Sequence, residues 1–112
     1  MSFNRDFDLF GIALEHHFGD DGSGVYIKRT DIPAGVFLQM HTHSFTHKSV
    51  LCSGTARVSV DGETSDVVGP AVLSITQGSK HEVVALTPCV WMCIHATDET
   101  DPDRIDHVLT GG

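Results

Sequence analysis

Short runs of alternating apolar and polar residues, separated by turn residues, fill most of this chain. Turn signals recur at close intervals, among them Pro33-Ala34-Gly35, Asp61-Gly62 and Gly69-Pro70. The runs between the turns are rich in Val, Ile, Phe and Thr, which favour β-strands. The pattern predicts an antiparallel sandwich or barrel, with strands at about residues 9–17, 24–31, 35–41, 46–53, 55–61, 63–67, 71–75, 81–86 and 89–96.

The strand rhythm breaks in an acidic tail, residues 97–112. Asp101 followed by Pro102 is typical of a helix start, because aspartate caps a helix and proline suits its first position. We therefore expect a short C-terminal helix over residues 102–108. A length of 112 residues suits one domain, so the sequence predicts a single domain over 1–112.

Histidines carry the clearest chemical signal, and three of them form the pattern His41-x-His43-x3-His47. Alternate residues of a strand share a face, so His41 and His43 can point to the same side. His47 suits the far side of a tight turn, after which the next strand runs back beside the first. Imidazole binds several divalent metals, so this spacing indicates a metal site.

Two other interpretations fit the same histidines. On an α-helix, His43 and His47 would also share a face, as in helical zinc motifs. The neighbouring Val36 and Phe37 favour a strand instead, and no glutamate follows the histidine as the helical protease motif requires. Histidines can also cluster on a polar sheet face without binding anything, and this chain has eight.

The interval pattern from residue 35 to 54 resembles the first signature of the cupin superfamily. The match is Gly35-x5-His41-x-His43-x3-His47-x6-Gly54. Cupins usually have a glutamate at the position of His47, so here a neutral ligand replaces an anionic one.

The second cupin signature, expected at about residues 69–85, is only partly matched. Gly78-x2-His81 is intact, while Thr76 and Ala85 occupy the places of the usual proline and asparagine. The resemblance implies a cupin-type jelly-roll barrel that holds one divalent transition metal (Mn, Fe, Ni, Co or Zn). It also implies that the ligands are His41, His43, His47 and His81.

Four imidazoles are neutral, so they would leave the full divalent charge on the metal, and bound water or substrate would meet a stronger Lewis acid. An octahedral ion would keep two open positions for substrate or dioxygen. A tetrahedral zinc would keep none and would be structural.

Function is predicted at the level of reaction class. We expect a metalloenzyme acting on a small oxygen-bearing molecule, with dioxygenase chemistry preferred by family analogy over isomerase or lyase chemistry. The alternative is a non-catalytic ligand binder, sensor or accessory cupin. His95 is the one candidate for proton transfer. Strand alternation and the cupin resemblance place four candidate residues around the pocket, which are Phe37, Gln39, Trp91 and Cys93.

Composition narrows the possible partners and location. Fifteen acidic against seven basic residues give a formal charge of −8, which opposes binding to nucleic acid or to anionic membranes. We expect a small-molecule ligand instead. No apolar run has the length of a membrane span, and the first residues lack the order of a signal peptide. Three cysteines are an odd number and suit a reducing compartment, so we expect a cytoplasmic protein.

Self-association as a homodimer is a further prediction, because a lone barrel of this size exposes long strand edges. Light scattering at micromolar concentration should give twice the chain mass of 12.1 kDa. A mass equal to one chain would contradict this prediction.

Overall fold

Antiparallel strands form two sheets in the computed structural model, which describes residues 4–7, 11–40, 47–76 and 78–97, without the side chains of 4–7, 39 and 40. The described strands are β1 (Asn4–Phe7), β2 (Ala13–His17), β3 (Val25–Ile32), β4 (Phe37–Met40), β5 (His47–Ser53), β6 (Thr55–Val60), β7 (Glu63–Val68), β8 (Ala71–Ile75), β9 (His81–Ala85) and β10 (Cys89–Ala96).

The larger sheet has six strands in the order β1-β2-β3-β10-β5-β8, and the smaller has four in the order β4-β9-β6-β7. All pairings between neighbours are antiparallel. The chain crosses from one sheet to the other several times, for example between β5 and β6 at Gly54. This two-sheet architecture confirms the predicted all-β, jelly-roll fold class.

Strand positions agree with the sequence pattern to within about two residues from β3 onward. The main difference lies at the start, where the predicted strand 9–17 begins at Ala13 and a separate β1 covers Asn4–Phe7. The helix predicted over residues 102–108 lies outside the described residues. In the described ranges the one helical element is a 3₁₀ turn at Gly19–Asp21, and no helix there could span a membrane.

Strand β10 shows how alternation builds the core. Its odd-numbered residues, from Cys89 to His95, are buried, whereas the even-numbered ones are half-buried or exposed. Successive side chains of a strand point to opposite faces, so one face of β10 points between the sheets. The main apolar cluster contains Ile32, Leu51, Ala56, Val58, Ile75, Val83, Ala85, Cys89, Trp91 and Cys93.

The turn at Gly54 requires glycine for two reasons. Its φ of +92° lies in the left-handed region, which L side chains rarely adopt. A Cβ there would also lie 2.3 Å from the carbonyl oxygen of Pro88 and 2.9 Å from Cys89 Sγ. The tight crossing from β5 to β6 therefore depends on a residue without a side chain.

We predict that Gly54→Ala lowers the free energy of unfolding by about 3 kcal/mol, because backbone strain adds to a clash with backbone atoms. Gly62→Ala is the matched control, since Gly62 has a φ of +86° but nothing within 4 Å of its added Cβ. Strain alone should cost the control about 1 kcal/mol. Urea unfolding followed by Trp91 fluorescence measures both, and equal losses would contradict the prediction.

Candidate metal centre

Three buried histidines point between the two sheets. His47 begins β5 with 6% of its surface exposed, His81 begins β9 with 2%, and His95 lies near the end of β10 with 3%. Histidine is seldom buried to this extent without a polar role. The two predicted ligands that the structure describes, His47 and His81, are therefore both inside the fold and come from different sheets.

His47 and His95 lie directly against each other. Their ring centroids are 4.1 Å apart with an interplanar angle of 33°. The antiparallel pairing of β10 with β5 explains this contact. Ile94 is opposite Lys48, so His95, the next residue of β10, meets His47, the residue before Lys48. His95, the candidate for proton transfer, thus contacts a predicted metal ligand.

His81 is oriented by a short hydrogen-bond chain. The Ser79 hydroxyl donates to the carbonyl oxygen of Thr76 at 2.6 Å, and its oxygen lies 2.7 Å from His81 Nε2. Because that hydroxyl proton is already used, the serine oxygen accepts from Nε2–H. The neutral ring then has its lone pair on Nδ1, the nitrogen that this tautomer would offer to a metal.

Aromatic rings continue from His95 across the larger sheet. Tyr26 is opposite His95 in the register of β3 and β10, with ring centroids 6.2 Å apart. The Tyr26 hydroxyl lies 2.7 Å from His16 Nδ1, and Phe18 packs against the same tyrosine at 5.6 Å. This second cluster closes the inner face beside the histidines.

The other two predicted ligands, His41 and His43, lie outside the described residues. Among the described residues no three His, Cys, Asp or Glu side chains are arranged to hold a metal. The part that is described fits a divalent transition metal in its chemistry, since His47 and His81 are buried imidazoles from facing sheets. The predicted four-histidine site would add His41 and His43, which precede β5 in the sequence.

The predicted pocket residues fall into different environments. Trp91 and Cys93 are buried on the inner face of β10, within the main apolar cluster. Phe37 is a correction, because it is 49% exposed and therefore does not line the interior. Its neighbour Leu38 packs against the core and is paired with the buried Val83. Gln39 pairs with Glu82 through its backbone, and its side chain lies outside the described part.

The inner face of the larger sheet contains polar residues that the sequence reading did not select. His16 is buried, whereas the sequence favours solvent exposure or a subunit contact for His16 and His17, of which at most one can point inward on a strand. Tyr26 and Lys28 follow the same even-numbered alternation as Thr30 and Ile32, and all four are paired with inward residues of β10. The alternation along 25–32 is the signal that could have identified them.

The Cys93 thiol is held on this inner face by Ser49, whose hydroxyl donates to Sγ at 3.4 Å. Burial raises the pKa of the Cys93 thiol, and the Ser49 hydrogen bond offsets this only in part. Burial also raises the pKa of Cys89. Both side chains are therefore neutral thiols at neutral pH, which suits packing rather than nucleophilic chemistry.

Solved structures with the same fold are cupins. An RmlC-like cupin from Shewanella frigidimarina NCIMB 400 has a TM-score of 0.70 at 14% identity, over 93% of this chain and 90% of that one. Ectoine synthase from P. lautus has a TM-score of 0.68 at 18% identity, and the match covers 92% of this chain and 75% of that one. Oxalate decarboxylase from Bacillus subtilis has a TM-score of 0.75 at 14% identity, and the match covers 91% of this chain but 29% of that one. At these identities the likeness establishes the fold.

Sequence comparison adds no further assignment, since no protein-family model and no curated protein matches this chain. The structural neighbours therefore confirm the fold implied by the motif at residues 35–54.

We predict that Ellman's reagent labels Cys52 first in the native protein, because Cys52 is half-buried while Cys89 and Cys93 are buried. All three thiols should react after unfolding, and Cys52→Ser should remove the fast phase. Fast labelling that persists in Cys52→Ser would contradict the assignment.

The raised pKa of Cys93 also predicts a pH dependence of stability. The folded state disfavours the thiolate, so stability is unaffected below the ordinary thiol pKa of 9.0 and falls as pH rises above it. Cys93→Ala should reduce this alkaline loss relative to the parent in urea unfolding measured from neutral to alkaline pH. An identical slope in both proteins would contradict the prediction.

Proposed function

We propose that this chain, which has the cupin fold, binds one divalent transition metal and acts on a small oxygen-bearing organic molecule. The proposed ligands are His41, His43, His47 and His81. The observation that supports this proposal best is the burial of His47 and His81 on facing sheets, with His95 packed against His47.

Burial of this kind has an energetic reason only if the imidazoles have partners. An imidazole removed from water loses hydrogen bonds that an apolar interior does not replace. Coordination satisfies one nitrogen of each ring, and a second contact such as that of Ser79 with His81 satisfies the other. The metal, when bound by four neutral ligands, would supply a Lewis acid that polarises an oxygen of the substrate.

The side of β4 that points inward bears on the proposed ligands His41 and His43. Phe37 points outward and Leu38 packs inward. Uninterrupted alternation would therefore put odd-numbered residues on the outer side. The pairing of β4 with β9 is regular from Phe37 to Met40, so His41 and His43 can bind the same ion as His47 only if the inward side changes after Met40, as a β-bulge would allow.

Residues around the proposed site have distinct tasks. Ser79 fixes the tautomer of His81, and the apolar cluster around Trp91 excludes water from the inner side. His95 packs against His47 and is the proposed residue for proton transfer. We favour dioxygenase-type chemistry by analogy, with isomerase or lyase chemistry as the other options. Neighbours named as a decarboxylase and a synthase illustrate that this fold hosts different reactions.

A non-catalytic binder is the second candidate, and one observation favours it. Among the described inward residues of β2, β3, β10, β5 and β8 none is acidic, so these strands offer no carboxylate as a general base. A metal that only holds a small ligand would need none.

We predict that protein purified without a histidine tag contains about one transition metal per chain. His47→Ala and His81→Ala should each weaken metal binding by about 10-fold or more, because each removes a ligand. The matched control is His17→Ala, since His17 is half-buried and faces away from the inner side. Elemental analysis and competition with a chelating dye measure this, and full occupancy in both ligand variants would refute the proposal.

Catalysis and simple binding are then separated by activity of the loaded protein. Oxygen uptake by the Mn and Fe forms with diketones, phenolics and sugar acids supports a dioxygenase. A stoichiometric four-coordinate zinc without an exchangeable water supports the non-catalytic candidate.

A further inference from the structure

Lys28 is placed on the inner face of the larger sheet, where a charged side chain is unexpected. It is opposite Cys93 in the register of β3 with β10, and opposite His16 in the register of β3 with β2. Residues directly opposite on antiparallel strands point to the same side. Cys93 and His16 are buried, so Lys28 shares their inward direction.

The surroundings of Lys28 are buried on all four sides in the sheet. Its cross-strand neighbours are His16 and Cys93, and its same-face neighbours along β3 are Tyr26 and Thr30. All four are buried, and Lys28 itself is only half-exposed. Its ammonium can therefore meet an anion that enters the interior, while its aliphatic part lies among the buried neighbours.

No described residue supplies that anion. The ion pairs of the described chain involve other cations, namely His17, Arg29, Arg57 and Lys80. The neighbouring Cys93 is a neutral thiol, because burial raises its pKa. The positive charge of Lys28 therefore lies among neutral groups on the inner face of the larger sheet.

The distance from Lys28 to the histidines suits a small bridging molecule. Lys28 on β3 is opposite Cys93 on β10, and Cys93 is opposite Ser49 on β5. His47 is two residues before Ser49 on the same face of β5, so it lies two strands away from Lys28. Sheet spacing puts the two Cα atoms about 12 Å apart. An extended lysine side chain spans roughly half of this distance, which leaves room for a compound of a few carbon atoms between ammonium and metal.

We propose that Lys28 binds a carboxylate of the substrate, so that this protein acts on small organic acids whose other oxygen reaches the metal. This inference rests on the proposed metal function. It adds the substrate class and assigns Lys28 as a binding residue that determines specificity.

The positive charge inside the fold explains why a carboxylate would be preferred over a neutral group. A divalent ion with neutral imidazole ligands and a lysine on the same inner face make a strongly positive interior in a chain with a formal charge of −8. A carboxylate would form a charge-assisted hydrogen bond with the Lys28 ammonium. A neutral analogue of the same shape would leave the ammonium without compensation.

The test uses probes that separate metal binding from carboxylate binding. Succinic and glutaric monohydroxamates have a hydroxamate for the metal and a distant carboxylate, and their terminal amides are neutral matches. Calorimetry on the Co(II)-loaded full chain should show that the better-fitting acid binds about 10- to 100-fold more tightly than its amide. The Lys28→Met variant should bind the acid and its amide with equal affinity.

Lys48→Met is the matched control, because Lys48 lies on β5 with an exposed side chain that contacts Ser74. It should keep the full preference for the acid. If Lys28→Met does not fold, Lys28→Gln keeps a polar side chain and serves the same comparison. Lys28→Arg should retain most of the preference because it retains the charge.

The outcomes distinguish the two proposals. Equal binding of acid and amide by the parent protein, or an acid preference that survives in Lys28→Met or Lys28→Gln, overturns the role of Lys28 and leaves the metal function standing. Failure of the parent to take up Co(II), or to bind either the acid or the amide, refutes the metal function and this inference with it.

Discussion

The register of β10 between β3 and β5 determines which side chains meet between the two sheets. It aligns Tyr26 with His95 and Lys28 with Cys93 on one side, and Ser49 with Cys93 on the other. A shift of one residue would exchange the inner and outer faces of the strand. His95 would then point to solvent, and Trp91 would leave the core. Packing and chemistry are thus set by the same pairing.

The interior divides into an apolar part and a polar part. Trp91, Leu51 and Val83 lie in the apolar cluster, whose burial supplies the main favourable free energy of folding. His47, His81 and His95 are buried polar groups that such a core would not tolerate alone. With His16, the described part of the chain has four buried histidines and a half-buried lysine on this side, and the proposed metal function would give His47 and His81 a reason to be buried.

Much of the fold could be predicted from the sequence, because period-two alternation and turn residues are local signals. The strands from β3 to β10 are examples. Burial of His47 and His81 also agrees with the motif. Phe37 is exposed, whereas a regular strand that directs His41 inward would direct Phe37 inward as well. His16, Tyr26 and Lys28 were missed because their roles depend on which strands become neighbours, and β3 pairs with β10, about sixty residues later in the chain.

X-ray absorption spectroscopy of the metal in untagged protein would identify the ligand atoms of the proposed centre. We expect a first shell of nitrogen and oxygen atoms at about 2.0–2.2 Å, with the outer-shell scattering of several imidazole rings. A sulfur shell at about 2.3 Å, or a first shell without imidazole scattering, would contradict a centre built from His41, His43, His47 and His81.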